Sequence, residues 1–141
     1  MRFYKGLIVF SILLFAAFSA NAEIAVIANS GESVSALTED QAKAIFLKKN
    51  LTLPNGEPVM AVDLPEDNQL RNEFYEKVAG KTPSQLKAYW AKLVFTGKGT
   101  PNEAKSSEAG VLSWVGGGTG RIGYVSADKV NGSVKVLLRV P

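Results

Sequence analysis

The chain contains no cysteine and no histidine in its 141 residues. Without cysteine there is no disulfide and no lipid-bearing cysteine, so stability rests on packing alone. Without histidine as well, Ser-His-Asp and Cys-His nucleophile systems are excluded, and so are ordinary zinc sites. Long basic runs are missing too. The longest is Lys48-Lys49, and the aromatics are not interleaved with Lys or Arg, which leaves nucleic-acid binding without support. No repeat, linker or low-complexity tract interrupts the sequence.

What is present begins with an address. Arg2 and Lys5 precede a mostly apolar run, Gly6–Phe18, and Ser19-Ala20-Asn21-Ala22 ends in the small-x-small pattern of a cleavage site. Residues 1–22 therefore read as a secretory signal peptide cut after Ala22. The rival reading, a retained anchor, is disfavoured because the apolar run falls short of the ~20 residues that span a bilayer. The remaining 119 residues, 23–141, suit one domain with one core. Two of the sixteen basic residues leave with the leader, so fourteen face thirteen acidic residues and the basic character of the full chain largely disappears.

Periodicity in the rest predicts alternating strands and helices. Glu23–Asn29 is apolar between its ends, as in a strand covered on both faces. Thr38 and Gln41 form a capping box for a helix whose inner face is Ala42, Ile45 and Phe46. Val59–Val62 is a short buried strand. Pro65, Glu66, Asp67 and Asn68 break it, and Leu70, Phe74 and Val78 then recur at helical spacing up to a stop at Gly80. Thr82-Pro83-Ser84-Gln85 starts the next helix, with Leu86, Tyr89, Trp90, Leu93 and Val94 as its buried stripe. Ser106 or Ser107 opens a further helix that stops at Gly116-Gly117-Gly118. Arg121–Val125 and Val134–Val140 are the last strands. This order predicts an α/β fold.

Three places can carry chemistry. Asp63, Glu66 and Asp67 crowd one turn, where they could act as an acid–base pair or hold a hard cation; alternatively Asp67 caps the following helix and Glu66 is solvated. Thr96-Gly97-Lys98-Gly99-Thr100 could converge backbone N–H groups, two hydroxyls and an ammonium on an anion, or be a plain turn. It is not a Walker A loop, since Lys92 stands where the first glycine belongs. Ser84-x-x-Lys87 and Ser126-x-x-Lys129 match the serine–lysine hydrolase spacing but lack its partner motifs.

In order, EIAVIAN, LTEDQAKAIFLKK, VMAVDLPEDNQLRNEFYEKV, AYWAKLVFTGKGTP and RIGYVSADKV resemble one lobe of the phosphate-type periplasmic solute-binding proteins of ABC importers. Leu37 to Phe46 is similar to that family's L-T-x-x-Q-x-x-x-I-F segment, and Gly120 to Val125 to its G-x-I-G-Y-V strand. The resemblance implies a single α/β lobe of the type 2 periplasmic-binding fold, with a mostly parallel central sheet flanked by helices. It also implies a periplasmic, non-enzymatic binding module, without cofactor or metal, for phosphate or another small anion. The implied ligand groups are Asn68, Gln69 and Arg71 at a helix start, with Thr96, Lys98 and Thr100 as loop donors. Implied partners are an inner-membrane transporter or sensor, or a second copy of the chain.

Two departures accompany the resemblance. The chain has the length of one lobe where the family closes two on its ligand. The family's Ser-Gly-Thr run reads here as Asn68, Gln69 and Leu70, beside the acidic Asp63, Glu66 and Asp67. The alternative reading is therefore a lobe that docks a protein and has lost its ligand, which predicts an exposed apolar patch. An enzymatic reading would require two of the acidic side chains to converge in a cleft.

Overall fold

The computed structural model describes residues 23–141; the leader predicted over residues 1–22 lies outside them. Five strands form one sheet in the order β3-β2-β4-β1-β5. They are β1 (Ile24–Asn29), β2 (Met60–Asp63), β3 (Glu103–Ala104), β4 (Arg121–Ser126) and β5 (Val134–Val140). The helices are α1 (Glu39–Phe46), α2 (Gln69–Ala79), α3 (Pro83–Phe95) and α4 (Glu108–Gly116), and a 3₁₀ turn covers Ala127–Lys129.

The sheet is mixed. β2 pairs in parallel with β3 and β4, whereas β1 pairs antiparallel with both β4 and β5. The expectation of a mostly parallel sheet is thus met in its β3-β2-β4 half only. The apolar run of β1 explains its position: Ile24 to Ala28 are fully buried, paired with a strand on either side and packed by α4.

Adjacent residues of β4 show how the two faces are filled, because successive side chains of a strand point to opposite sides. Tyr124 stacks on Phe74 of α2, with ring centroids 4.0 Å apart and an interplanar angle of 9°, and Phe46 of α1 meets Phe74 edge-on at 4.8 Å. Gly123 faces α4 on the other side. A Cβ there would lie 2.5 Å from Val111 Cγ1, so the missing side chain is what lets α4 approach the sheet. Both predicted capping boxes form, at Thr38/Gln41 and Thr82/Gln85. Ser107 caps α4, and Gly80 closes α2 in the left-handed conformation.

The sequence reading departs from this structure at Met60, at the cap of α2 and at Val94. Met60, expected in a buried strand, is 62% exposed, because it opens β2 and lines an open groove with Leu51 and Thr100. Asn68, not Asp67, caps α2: its Oδ1 accepts from the N–H groups of Leu70 at 2.9 Å and Arg71 at 3.3 Å. Val94, expected in the buried stripe of α3, is 51% exposed and its neighbour Phe95 is 92% exposed, so the stripe ends before the last turn of this helix, which packs on α2. Among the described residues no helix is long and apolar enough to cross a membrane.

Candidate functional site

β2 delivers Asp63 to the centre of a buried polar network. Asp63 Oδ1 accepts from the Tyr124 hydroxyl at 2.8 Å, and Oδ2 accepts from the Tyr75 hydroxyl at 2.8 Å and from Asn102 Nδ2 at 3.3 Å. Asn102 Nδ2 also donates to the Phe46 carbonyl at 2.7 Å, and the Leu64 N–H donates to the Tyr124 hydroxyl at 3.2 Å. Burial pushes the Asp63 carboxyl above its usual 3.8, while the Tyr75 hydroxyl, the positive charge of Arg71, Tyr124 and Asn102 oppose that rise. Burial and the neighbouring Asp63 hold both tyrosines well above the usual 10, so they remain donors. The network ties β2, α2, β4 and the approach to β3 together.

The helix that follows carries the second feature. Asn68 is consumed as cap, and Gln69 Nε2 donates to Glu73 at 3.3 Å on the exposed face. Arg71 turns inward and is only 8% exposed. Its guanidinium carbon lies 5.8 Å from the centroid of the Tyr75 ring. Among the described residues it joins none of the ion pairs, which are Lys105–Glu103, Lys129–Glu108 and Arg139–Glu23, and its buried Nε–H finds no acceptor. A buried N–H without an acceptor is costly, and native structures seldom leave one so.

Arg71 borders a cavity of about 170 Å³ shared with Glu66, Asn72, Pro83, Ser84, Leu86 and Lys87. Two helices begin at this cavity: Arg71 and Asn72 lie in the first turns of α2, and Pro83, Ser84 and Lys87 in the first turns of α3. The side chains carry two positive charges against one negative, and each helix start adds roughly half a positive charge. The sum favours an anion.

The predicted loop donors lie elsewhere. Thr96 Oγ1 donates back to the carbonyls of Lys92 at 2.7 Å and Leu93 at 3.3 Å. The backbone N–H groups of Thr96, Gly97 and Lys98 donate to Lys92, Val94 and Leu93. They close α3, as a plain turn does. Thr100 lines a separate groove of about 430 Å³ with Ile45, Lys48, Leu51, Val59 and Met60 among others. Of the six residues expected to bind, Arg71 alone lines the cavity at the helix starts and Thr100 alone lines this groove; the structure brings no two of them into one cavity.

The acidic turn does not converge either. Asp63 points into its network while Glu66 and Asp67 are exposed, and no group of three acidic side chains able to hold a metal occurs among the described residues. Sequence reasoning missed Tyr75, Tyr124 and Asn102 as partners of Asp63, and Asn72, Ser84 and Lys87 as neighbours of Arg71. The Ser84-x-x-Lys87 spacing was the one available signal: it sets both side chains one turn apart on the same face of α3.

No protein-family model matches the sequence, and no curated protein does. Solved structures do match. One, from Clostridium perfringens, is described as a candidate phosphate ABC transporter substrate-binding protein with bound phosphate; it shares 23% identity with a TM-score of 0.66. An ABC-type phosphate transport receptor from Vibrio cholerae shares 17% at a TM-score of 0.64. A protein from Planctomyces limnophilus, described as a candidate phosphate-binding protein, shares 15% at 0.56. Each match covers 82% of this chain but only 45%, 46% and 41% of the respective structures. The chain thus has the fold of part of these receptors and spans less than half their length.

Proposed function

We propose that this chain is an exported, non-enzymatic binding module for a small anion such as phosphate, serving uptake or its sensing outside the inner membrane. The observation that carries the reading is Arg71: a largely buried side chain whose Nε–H has no acceptor, beside a cavity at the start of two helices. An oxyanion there would meet the guanidinium edge that borders the cavity and the positive dipole ends. The receptors of like fold, two of them described as phosphate transport proteins, support the same ligand class. Export rests on the leader-like residues 1–22. The test is calorimetric titration of the purified protein with phosphate at low and moderate salt. Saturable heat that weakens with salt and vanishes in Arg71→Met supports the reading; no heat at millimolar phosphate overturns it.

A second reading, a protein-docking lobe without ligand, is favoured by one observation. Phe95 is almost wholly exposed beside Val94 at the end of α3, and large apolar side chains so placed suit a partner such as a transporter, a sensor or a second copy. Absent phosphate heat together with self-association abolished by Phe95→Ser would favour it over anion binding.

A further inference from the structure

We infer that the anion site is completed within this chain by the start of α3, with Ser84 and Lys87 as ligand groups beside Arg71 and Asn72. The inference rests on the anion-binding reading above and specifies which groups would do the binding. Four observations carry it. Arg71 is nine-tenths buried, borders the cavity and has an Nε–H with no acceptor. Ser84 and Lys87 border the same cavity from the opposite helix.

The third observation is how α3 begins. The Thr82 side chain accepts from Gln85 N, and Pro83, at the first helical position, has no N–H to offer. The Ser84 hydroxyl and the Lys87 ammonium make no hydrogen bond or ion pair to another described side chain, so both are available to a ligand. The fourth is charge. Glu66 on the rim offsets one of the two cations, leaving a net of about two positive charges once the dipole ends are counted. That matches a compact oxyanion of one or two charges, and the cavity volume suits such an ion with a few waters. An anion of higher charge would meet the Glu66 carboxylate without a further cation to balance it.

This arrangement replaces the loop Thr96–Thr100 as the second half of the site. It also removes the need for a second lobe to provide every opposing donor, because α2 and α3 already face each other across the cavity.

The experiment is phosphate titration of the purified protein and of Lys87→Met, Ser84→Ala and the double variant Lys98→Met/Thr100→Ala. Lys87 and Ser84 are exposed, so their variants should fold, and circular dichroism checks this. The dissociation constant should rise at least about tenfold in Lys87→Met and a few-fold in Ser84→Ala, as expected for a lost charge-assisted and a lost neutral hydrogen bond. Lys87→Arg should restore most of the loss, and the Lys98/Thr100 variant should bind as the parent does. Parent binding that survives unchanged in Lys87→Met and Ser84→Ala overturns the inference while leaving anion binding intact. A parent that does not bind phosphate overturns both.

Discussion

Replacing Arg71 by methionine should make the unliganded protein more stable. The side chain is 8% exposed, and its Nε–H is buried without an acceptor. An unsatisfied buried donor costs about 1–3 kcal/mol, and a charged group lies toward the upper end. Methionine fills a similar volume and needs no partner. Against this stands the contact of the guanidinium with the Tyr75 ring at 5.8 Å, worth about 0.5–1 kcal/mol. Arg71 also steadies the Asp63 carboxylate, a benefit partly offset by the donors already on both carboxylate oxygens. The balance is a gain of about 1 kcal/mol. In urea, with a slope of roughly 1–2 kcal/mol per molar, the midpoint rises by about 0.5–1 M. Phosphate should then reverse the order. At a hundred times the dissociation constant it adds about 2.7 kcal/mol to the parent and nothing to the variant. The assay is urea unfolding followed by Trp fluorescence, with and without phosphate. An Arg71→Met variant less stable than the parent in both conditions would refute the reasoning, because the arginine would then be a structural residue and not a charge kept for a ligand.

Three further outcomes follow from the packing and the buried network. Because burial raises the Asp63 pKa in the folded state, its contribution is fully present below the unfolded value near 3.8 and is lost as pH rises toward the folded value. Asp63→Asn should flatten that dependence in a pH series of unfolding midpoints, while costing about 1–3 kcal/mol at neutral pH, since an amide nitrogen would face donors. Tyr75 and Tyr124 are likewise raised, so stability should fall as pH climbs above 10, and their phenolate absorbance should appear only as the protein unfolds. Gly123→Ala should cost about 1–3 kcal/mol in thermal unfolding by forcing α4 off the sheet, without changing phosphate affinity.

Much of the fold was legible because it is written locally. Thr38/Gln41 and Thr82/Gln85 are reciprocal side-chain caps that a sequence displays directly, and Gly80 marks its helix end for the same reason. The continuous apolar run of β1 announced a strand covered on both faces. Strand direction was not legible: nothing local in Glu23–Asn29 says that β1 pairs antiparallel with both neighbours, since that is decided by β4 and β5, about a hundred residues away. The two-residue β3 is too short to show any alternation. At the site, Arg71 was visible as a cation one turn into a helix, but its burial was not. Asp63 read as part of an acidic turn because Glu66 and Asp67 follow it closely. Its true partners, Tyr75, Asn102 and Tyr124, lie 12, 39 and 61 residues away, and only the tertiary fold assembles them. The Thr96–Thr100 loop has the composition of an anion cradle, yet its first N–H groups are drawn into the end of α3.

The central claim is that an anion binds at the guanidinium edge of Arg71 that borders the cavity. The most direct measurement is the side-chain Nε–H resonance of Arg71 in a ¹H–¹⁵N spectrum, assigned by Arg71→Met and followed through a phosphate titration. The account predicts a saturable displacement of this resonance that Lys87→Met weakens and Lys98→Met/Thr100→Ala does not. A resonance that stays in place up to millimolar phosphate, or drifts linearly with the other arginines, would contradict it.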